Sequence, residues 1–546
     1  MSAQSVDQVA LAPLYAAVAA AVVVLLADLL APPGRRGWLL GLAALGVAAT
    51  GATAAWAGLG RGHATFCVPP EPLPTGGESI AACSLVADHA TAVLGVAFCA
   101  LTLAVLALSA PLVRAAVVPP GEYTFLLLCS LFGGVALVGS RDLITLIVSL
   151  ETLSLPLYIL VGLRRTAGGA SAAVNYLLVS VVSTSVTLLG AALLYAVTGE
   201  VHLSRLASAL FTDLGPAAPL AAAAVALVLV GLVFKVAAVP FHAWAGGVYD
   251  GAPLPVAAYL STASKLGGVA AIALVAVNGL LPGGAVWASV LAVLAALTMT
   301  TGNLLALRQT RTVRLLAWSS VAQAGYVLAP LAGFAAASGQ VESFTYGSEP
   351  LSATLTYTGF YVILEIAAFA AVIAVRGARD GGTLEDLRGL ARRRPWVAAG
   401  LALALAGLAG LPPGLAGLWA KVIVVRSLVD SDVLWLALLV AANAVIGLAY
   451  YVKVAAMLYD RGPREEPEHV GPAGAGHPAH EPEPEAADGG GQAVLTRTET
   501  AVDSEPAESS WPVLVTLAVA SAVAVVLGFL PQVVLWAADE AARRLF

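Results

Sequence analysis

The chain has 546 residues, of which 59% are hydrophobic and 11% charged, with a formal net charge of −6. So few charges cannot cover a water-facing surface, which excludes a soluble globular protein, and no basic cluster lies in a polar segment, which excludes nucleic-acid binding. The composition predicts an all-α polytopic membrane protein built from apolar runs near the roughly 20 residues that span a bilayer.

Apolar windows predict fourteen membrane helices, at about 9–31, 38–58, 90–111, 122–139, 142–163, 172–198, 217–244, 253–278, 284–306, 312–334, 351–375, 395–428, 432–458 and 511–537. The start, MSAQSVDQVA, has no basic region, so the first window reads as a membrane helix and not as a cleaved signal. Residues 1–121 hold three helices, and the loop 61–88 between the second and third contains Cys67 and Cys83. These two thiols either pair in an oxidising compartment or stay free, and spacing does not decide. Cys99 and Cys129 are expected inside helices.

The seventh and twelfth helices are predicted to be broken, because Pro240 and Pro412-Pro413-Gly414 fall inside them. They lie five helices apart, so 122–280 and 281–460 read as two inverted five-helix repeats, each with one broken helix. Residues 461–510 carry eleven acids against three arginines among many Pro, Gly and Ala, and are expected to be a disordered acidic cytoplasmic insertion before the last helix, in 511–546. The chain outside it is slightly basic. His469, His477 and His480 in the insertion read as solvated. With the N-terminus outside, seventeen arginines fall on inner loops and six on outer ones, which predicts both termini extracytoplasmic.

Of the 27 basic residues only four are lysines, Lys235, Lys265, Lys421 and Lys453, and all four lie within or beside apolar stretches. Arginine stays charged, whereas a buried lysine releases its proton readily, so Lys235, Lys265 and Lys421 are candidate proton carriers. Lys453 reads as a snorkelling side chain. Lys235 lies five residues before Pro240 and Lys421 seven after the end of the Leu411-Pro412-Pro413-Gly414 break. Broken helices are tolerated at membrane depth only in protein or along a cavity. Glu151, in the middle of the fifth helix, is either a counter-charge to Lys235 or an acid bonded to neighbouring hydroxyls such as Ser149, Thr152 and Ser154. A carboxylate near a lysine favours both charged forms, and separating them favours proton release. Glu151, Lys235, Lys265 and Lys421 form a candidate horizontal path. His242 either joins it or caps the break.

The segments FKVAAVPFHAWAGGVYDGAPLPVAAYLSTASK, GNLLALRQTRTVRLLAWSSVAQAGYVL and AGLPPGLAGLWAKVIVV resemble the antiporter-like membrane subunits of proton-translocating NADH–quinone oxidoreductase, respiratory complex I. The VYDGAP and STASK segments are most similar to the subunit N branch. The resemblance covers about residues 90–458. It implies a fourteen-helix inverted-repeat fold, a proton path through Glu151, Lys235, Lys265 and Lys421, and coupling to quinone reduction from a distance. It implies no cofactor on this chain: NADH, FMN, iron–sulfur clusters and quinone belong to other subunits. It also implies neighbouring antiporter-like and peripheral subunits as partners, and a bacterial inner-membrane location. Asn175 stands where the family usually has a lysine, Gln323 where it has a histidine, and Gly246-Gly247 where it has Pro-Asp, while Glu365 adds a carboxylate in an apolar run. Glu365 is expected to be neutral or paired with a lysine. It is either a titratable site that partly replaces the one lost at Gln323 or a group that only bonds a neighbour. A multi-subunit cation/proton antiporter, a membrane hydrogenase and a non-pumping structural subunit remain alternatives.

Overall fold

The computed structural model describes residues 6–32, 37–60, 62–71, 80–210, 214–280, 284–334, 344–460 and 510–545. The expected acidic insertion, with its three histidines, lies outside the described residues apart from Ser510.

Thirteen helices among the described residues are long and apolar enough to cross a membrane. The remaining predicted crossing is the twelfth window, one of the two expected to be broken. It consists of two short helices, Pro395–Ala409 and Leu415–Asp430. The predicted windows otherwise match the observed spans in order, because span length follows from apolar run length.

Three predicted details differ. The window 511–537 ends as a spanning helix at Phe529 and is followed by a separate amphipathic helix, Gln532–Leu545. Pro531 cannot continue the first helix, and Asp539, Glu540, Arg543 and Arg544 put charge on one side of the second. The window 253–278 is not one regular helix but Leu254–Ser261 and Ala263–Leu274, separated at Thr262, whose backbone lies at φ −117° and ψ −81°. The segment after the second helix, expected only as a loop, contains an antiparallel hairpin, His63–Glu71 with Ile80–Ala87, in which Cys67 faces Cys83. The two cysteines are joined by a disulfide. Cys99 is buried as expected, and Cys129 is only partly so.

Burial is uneven. The window Leu254–Gly279 is fully enclosed, and Thr312–Gly333 nearly so, whereas Ala167–Thr198 keeps most of its surface open. Lys265 sits on the fully enclosed span and Glu365 on a mostly enclosed one, whereas Lys235 ends a span that is half open and Lys421 lies on a helix with an exposed Trp and Val face.

A charge cluster joins the end of the first predicted repeat to the start of the second. Asp250, at the end of the short helix Trp244–Gly251, accepts hydrogen bonds from Arg311 Nε at 2.8 Å and Arg314 Nε at 2.9 Å. Arg311 also reaches Asp380 at 3.0 Å, and Arg376 pairs with both Asp380 and Asp386. Burial opposes ionisation of Asp380, but hydrogen bonds from Arg376 and Arg311 outweigh it and hold this carboxyl below its usual range. Its contribution is therefore present at neutral pH and is lost as pH falls through the lowered value. Asp250→Asn is expected to lower stability by about 1–3 kcal/mol, because one arginine loses its acceptor and the other its carboxylate charge at a largely covered side chain. A fall in the unfolding midpoint of the purified complex would register it, and an unchanged midpoint would show that the cluster does not hold the two halves together.

Candidate functional site

The helix Ala218–Leu232 gives way to a tighter 3-10 turn, Val233–Val236, that carries Lys235. The break was expected near Pro240 but begins earlier. Ala237 adopts a left-handed conformation, φ 58°, so the chain has left the helix before the proline is reached. Such a conformation costs roughly 1–2 kcal/mol for a residue with a Cβ. The freed backbone donors are satisfied locally: Ala237 N–H bonds Phe234 O at 2.8 Å, Ala238 N–H bonds Val233 O at 3.1 Å, and Val239 N–H bonds Thr298 Oγ1 at 3.0 Å.

Lys235 is 2% exposed. Its Nζ donates to Ser154 Oγ, and Ser154 in turn donates to Leu150 O at 2.5 Å. The rings of Phe234 and Tyr176 lie 5.3 and 5.8 Å from Nζ. Ser154 is three residues from Glu151 on the helix Leu143–Gly162, so the two share a face. Glu151 accepts a 2.5 Å hydrogen bond from Thr184 Oγ1 on the next long helix, not from Ser149, Thr152 or Ser154. Among the described residues Glu151 and Lys235 form no direct ion pair.

Gly268 explains how closely the helix of the next buried lysine approaches. A Cβ at Gly268 would stand 2.7 Å from the Cβ of Lys235, so only glycine lets the broken turn seat against this helix. Lys265 is one turn away on the same helix. Its Nζ donates to Ser320 O, and the Tyr361 ring lies 5.9 Å from it. Tyr361 bridges Ser320 Oγ and Ser261 O, each at 2.7 Å. Glu365 is fully buried one turn beyond Tyr361, and among the described residues neither of its oxygens has a hydrogen-bond partner.

Ser319, next to Ser320, contacts Tyr451 Oη at 2.5 Å. Gln323 Nε2 donates to Tyr451 Oη at 3.0 Å and to Leu408 O at 3.2 Å, and Tyr357 Oη donates to Gln323 Oε1 at 2.5 Å. Leu408 O also accepts from Lys421 Nζ at 3.0 Å, as does Ala409 O at 2.5 Å. These carbonyls are available because Gly410, at φ 82°, ends the helix Pro395–Ala409. A cation beside the negative end of that half-helix is favourably placed. The twelfth window thus supplies both the broken backbone and the lysine that binds it.

His242 lies apart. It is half-buried, its Nδ1 is 3.3 Å from Pro240 O, and its ring meets Trp318 edge-on at 5.9 Å. Its recorded bond caps the break and does not touch a lysine. Asn175 is exposed on the helix Ala167–Thr198, and Lys453 is exposed, as snorkelling requires.

Residues 140–447 match the family described as NADH:quinone oxidoreductase/Mrp antiporter, TM. The chain belongs to this antiporter family. It is 58% identical over 460 residues to the NADH-quinone oxidoreductase subunit N of Salinispora tropica, covering 84% of this chain and 86% of that protein. It is 45% identical over 480 residues to the NADH-quinone oxidoreductase subunit N 2 of Streptomyces griseus, covering 86% of each. Among solved structures it is similar to a chain of the Thermus thermophilus respiratory complex I with bound Aureothin, with TM-score 0.68, 27% identity and coverage of 96% and 98%. It is also similar to a chain of the Mrp complex from Dietzia sp. DQ12-45-1b, with TM-score 0.74, 26% identity and coverage of 98% and 97%.

In this antiporter-family chain the hydroxyl residues around the lysines were the ones sequence reasoning missed: Thr184, Ser319, Ser320, Tyr357, Tyr361 and Tyr451. One signal was present. Tyr357, Tyr361 and Glu365 recur every four residues and so share one face of the helix Phe344–Arg376. Ser319, Ser320 and Gln323 likewise share a face of Thr312–Leu328. Tyr451 gave no such signal, because its role depends on a partner 128 residues away.

Proposed function

We propose that this chain is a proton-translocating membrane subunit of a bacterial NADH–quinone oxidoreductase, and that Glu151, Lys235, Lys265 and Lys421 carry the proton. The observation that supports this best is the row of three buried lysines linked to hydroxyls and to broken-helix carbonyls. Quinone reduction in other subunits shifts the Glu151–Lys235 separation. Close approach holds the proton on Lys235, and separation releases it toward Lys265. Ser154, next to Glu151 and bonded to Lys235, is the group through which the two communicate. Ordered water joins the row at Tyr176 Oη, Tyr249 Oη and the Glu365 oxygens, which are buried without protein partners among the described residues. The two five-helix units, 122–280 and 281–460, are related as inverted repeats, and both termini face outside. Neighbouring antiporter-like and peripheral subunits complete the complex, and the redox cofactors reside there.

In the same reading, Glu365 is a titratable site beside Lys265 that compensates for Gln323, whose amide cannot hold a proton between transfers. Glu365→Gln keeps the shape and polarity and removes the proton site. It is expected to lower protons moved per electron in inverted membrane vesicles while leaving assembly intact. A silent Glu365→Gln together with a gain of pumping in Gln323→His would defeat the compensation and leave a partly degenerate pump.

The Mrp-type reading is the alternative that the fold admits. The relatives with the higher identities are NADH-quinone oxidoreductase subunits, which favours the first. Gentle purification of the tagged chain decides. Co-purifying NADH-oxidising, flavin-containing subunits support it, and an antiporter assembly without redox subunits removes it.

A further inference from the structure

A cleft of about 920 Å³ lies on the far side of the Lys421 helix from the lysine row, between Leu415–Asp430, the end of Trp511–Phe529 and the amphipathic helix Gln532–Leu545. That volume is at the upper end of the roughly 300–1,000 Å³ usual for ligand pockets. Its polarity is graded along one helix. Leu415, Leu418 and Val422 line one end, with Val422 itself 45% exposed, and Arg426 and Ser427 line the other. At 1.5 Å per residue, Leu418 and Arg426 are about 12 Å apart along the axis. The opposite wall repeats the pattern, with Phe529 and Trp536 before Asp539 and Arg543.

The end with Arg426 and Ser427 is built for a polar guest. Ser427 is 3% exposed, lines the cleft, and its Oγ has no hydrogen-bond partner among the described residues. Arg426 and Arg543 each have an acid four residues away, Asp430 and Asp539, and Glu349 lies on the same rim. The rim therefore offers both signs of charge and not a single cationic patch. Trp419, held by a 3.0 Å bond from Nε1 to Gly528 O, and Trp536 line the apolar end, where their amphipathic rings suit a membrane interface.

We propose that this cleft holds one zwitterionic glycerophospholipid, with an acyl chain along Leu415, Leu418 and Val422. The phosphodiester sits between Arg426 and Arg543 and accepts from Ser427, and the headgroup ammonium faces Glu349 and Asp539. Guanidinium groups suit a phosphodiester, and a half-apolar, half-charged cleft at the membrane boundary suits an amphiphile. The lipid acts as a wedge behind the helix that carries Lys421, whose other face binds the Leu408 and Ala409 carbonyls. The wedge rests on the cleft alone and stands whether or not the chain pumps.

The test uses the intact complex in nanodiscs containing phosphatidylethanolamine with a photoreactive group on its acyl chain. Crosslinks are expected on the segments 415–427 and 529–543. The double variant R426Q/R543Q should lower that labelling several-fold, and Val422→Trp, which fills the apolar end and leaves both arginines, should lower it as much. Labelling of other helices serves as the internal standard for folding and lipid content. Equal labelling of the two segments in wild type and both variants would overturn the proposal. So would capture of a partner polypeptide instead of lipid by a photoreactive side chain at position 422.

Discussion

Lys235→Ala is expected to leave the complex assembled and to reduce proton translocation on the order of 10²-fold, the low end of what a positioned acid–base group contributes. Coupled quinone reduction should fall with it. Lys235 is 2% exposed, and its Nζ has the Ser154 hydroxyl as its hydrogen-bond partner among the described residues. Removing a buried charge removes a desolvation cost along with an interaction, so stability changes little in comparison with function. The alanine leaves a void beside Gly268, so Lys235→Met, which keeps most of the volume, is the companion variant. Both should behave alike if the proton is what matters. Proton uptake into inverted vesicles, measured against the amount of assembled complex, reads the result. Normal pumping by either assembled variant would remove Lys235 from the path. Ser154→Ala offers a graded comparison: it deletes the hydroxyl between Lys235 and the Glu151 face, and a partial loss is expected.

The second large effect is expected at Lys421. Lys421→Arg keeps the positive charge and can still bond the Leu408 and Ala409 carbonyls, which accept from the lysine at 3.0 and 2.5 Å. Arginine does not give up its proton under physiological conditions. If Lys421 only stabilises the end of the half-helix Pro395–Ala409, the arginine variant should work nearly as well as wild type. If Lys421 carries the proton, Arg and Ala should fail alike, each by on the order of 10²-fold. The proposed path predicts the second outcome. Full activity in Lys421→Arg would reduce this residue to a cap on broken backbone. Because Gln323 shares the Leu408 carbonyl with Lys421, Gln323→Leu should also weaken transfer, while its effect on assembly tests whether the amide mainly positions the break.

Much of this molecule was legible before any coordinates. Apolar run length determined the spans, because a helix in a bilayer must satisfy its backbone internally over a fixed thickness. The scarcity of lysine, and its placement where arginine is excluded, marked Lys235, Lys265 and Lys421, since a charge in apolar sequence is expensive wherever the chain folds. The prolines marked both interrupted helices. The sequence by itself did not decide where those interruptions begin: Ala237 leaves the helix before Pro240 because tertiary contacts, including Thr298 bonding Val239, make the early exit affordable. Nor did it reveal the break at Thr262, the pairing of Cys67 with Cys83, or the end of the last spanning helix at Phe529. The partners were decided by packing alone. Glu151 bonds Thr184 and not its sequence neighbours, Lys235 finds Ser154, and Gln323 joins Tyr451 and Leu408 to Lys421. Composition and periodicity act within one helix, whereas a hydrogen bond between helices depends on rotation and depth, which only the packed bundle sets.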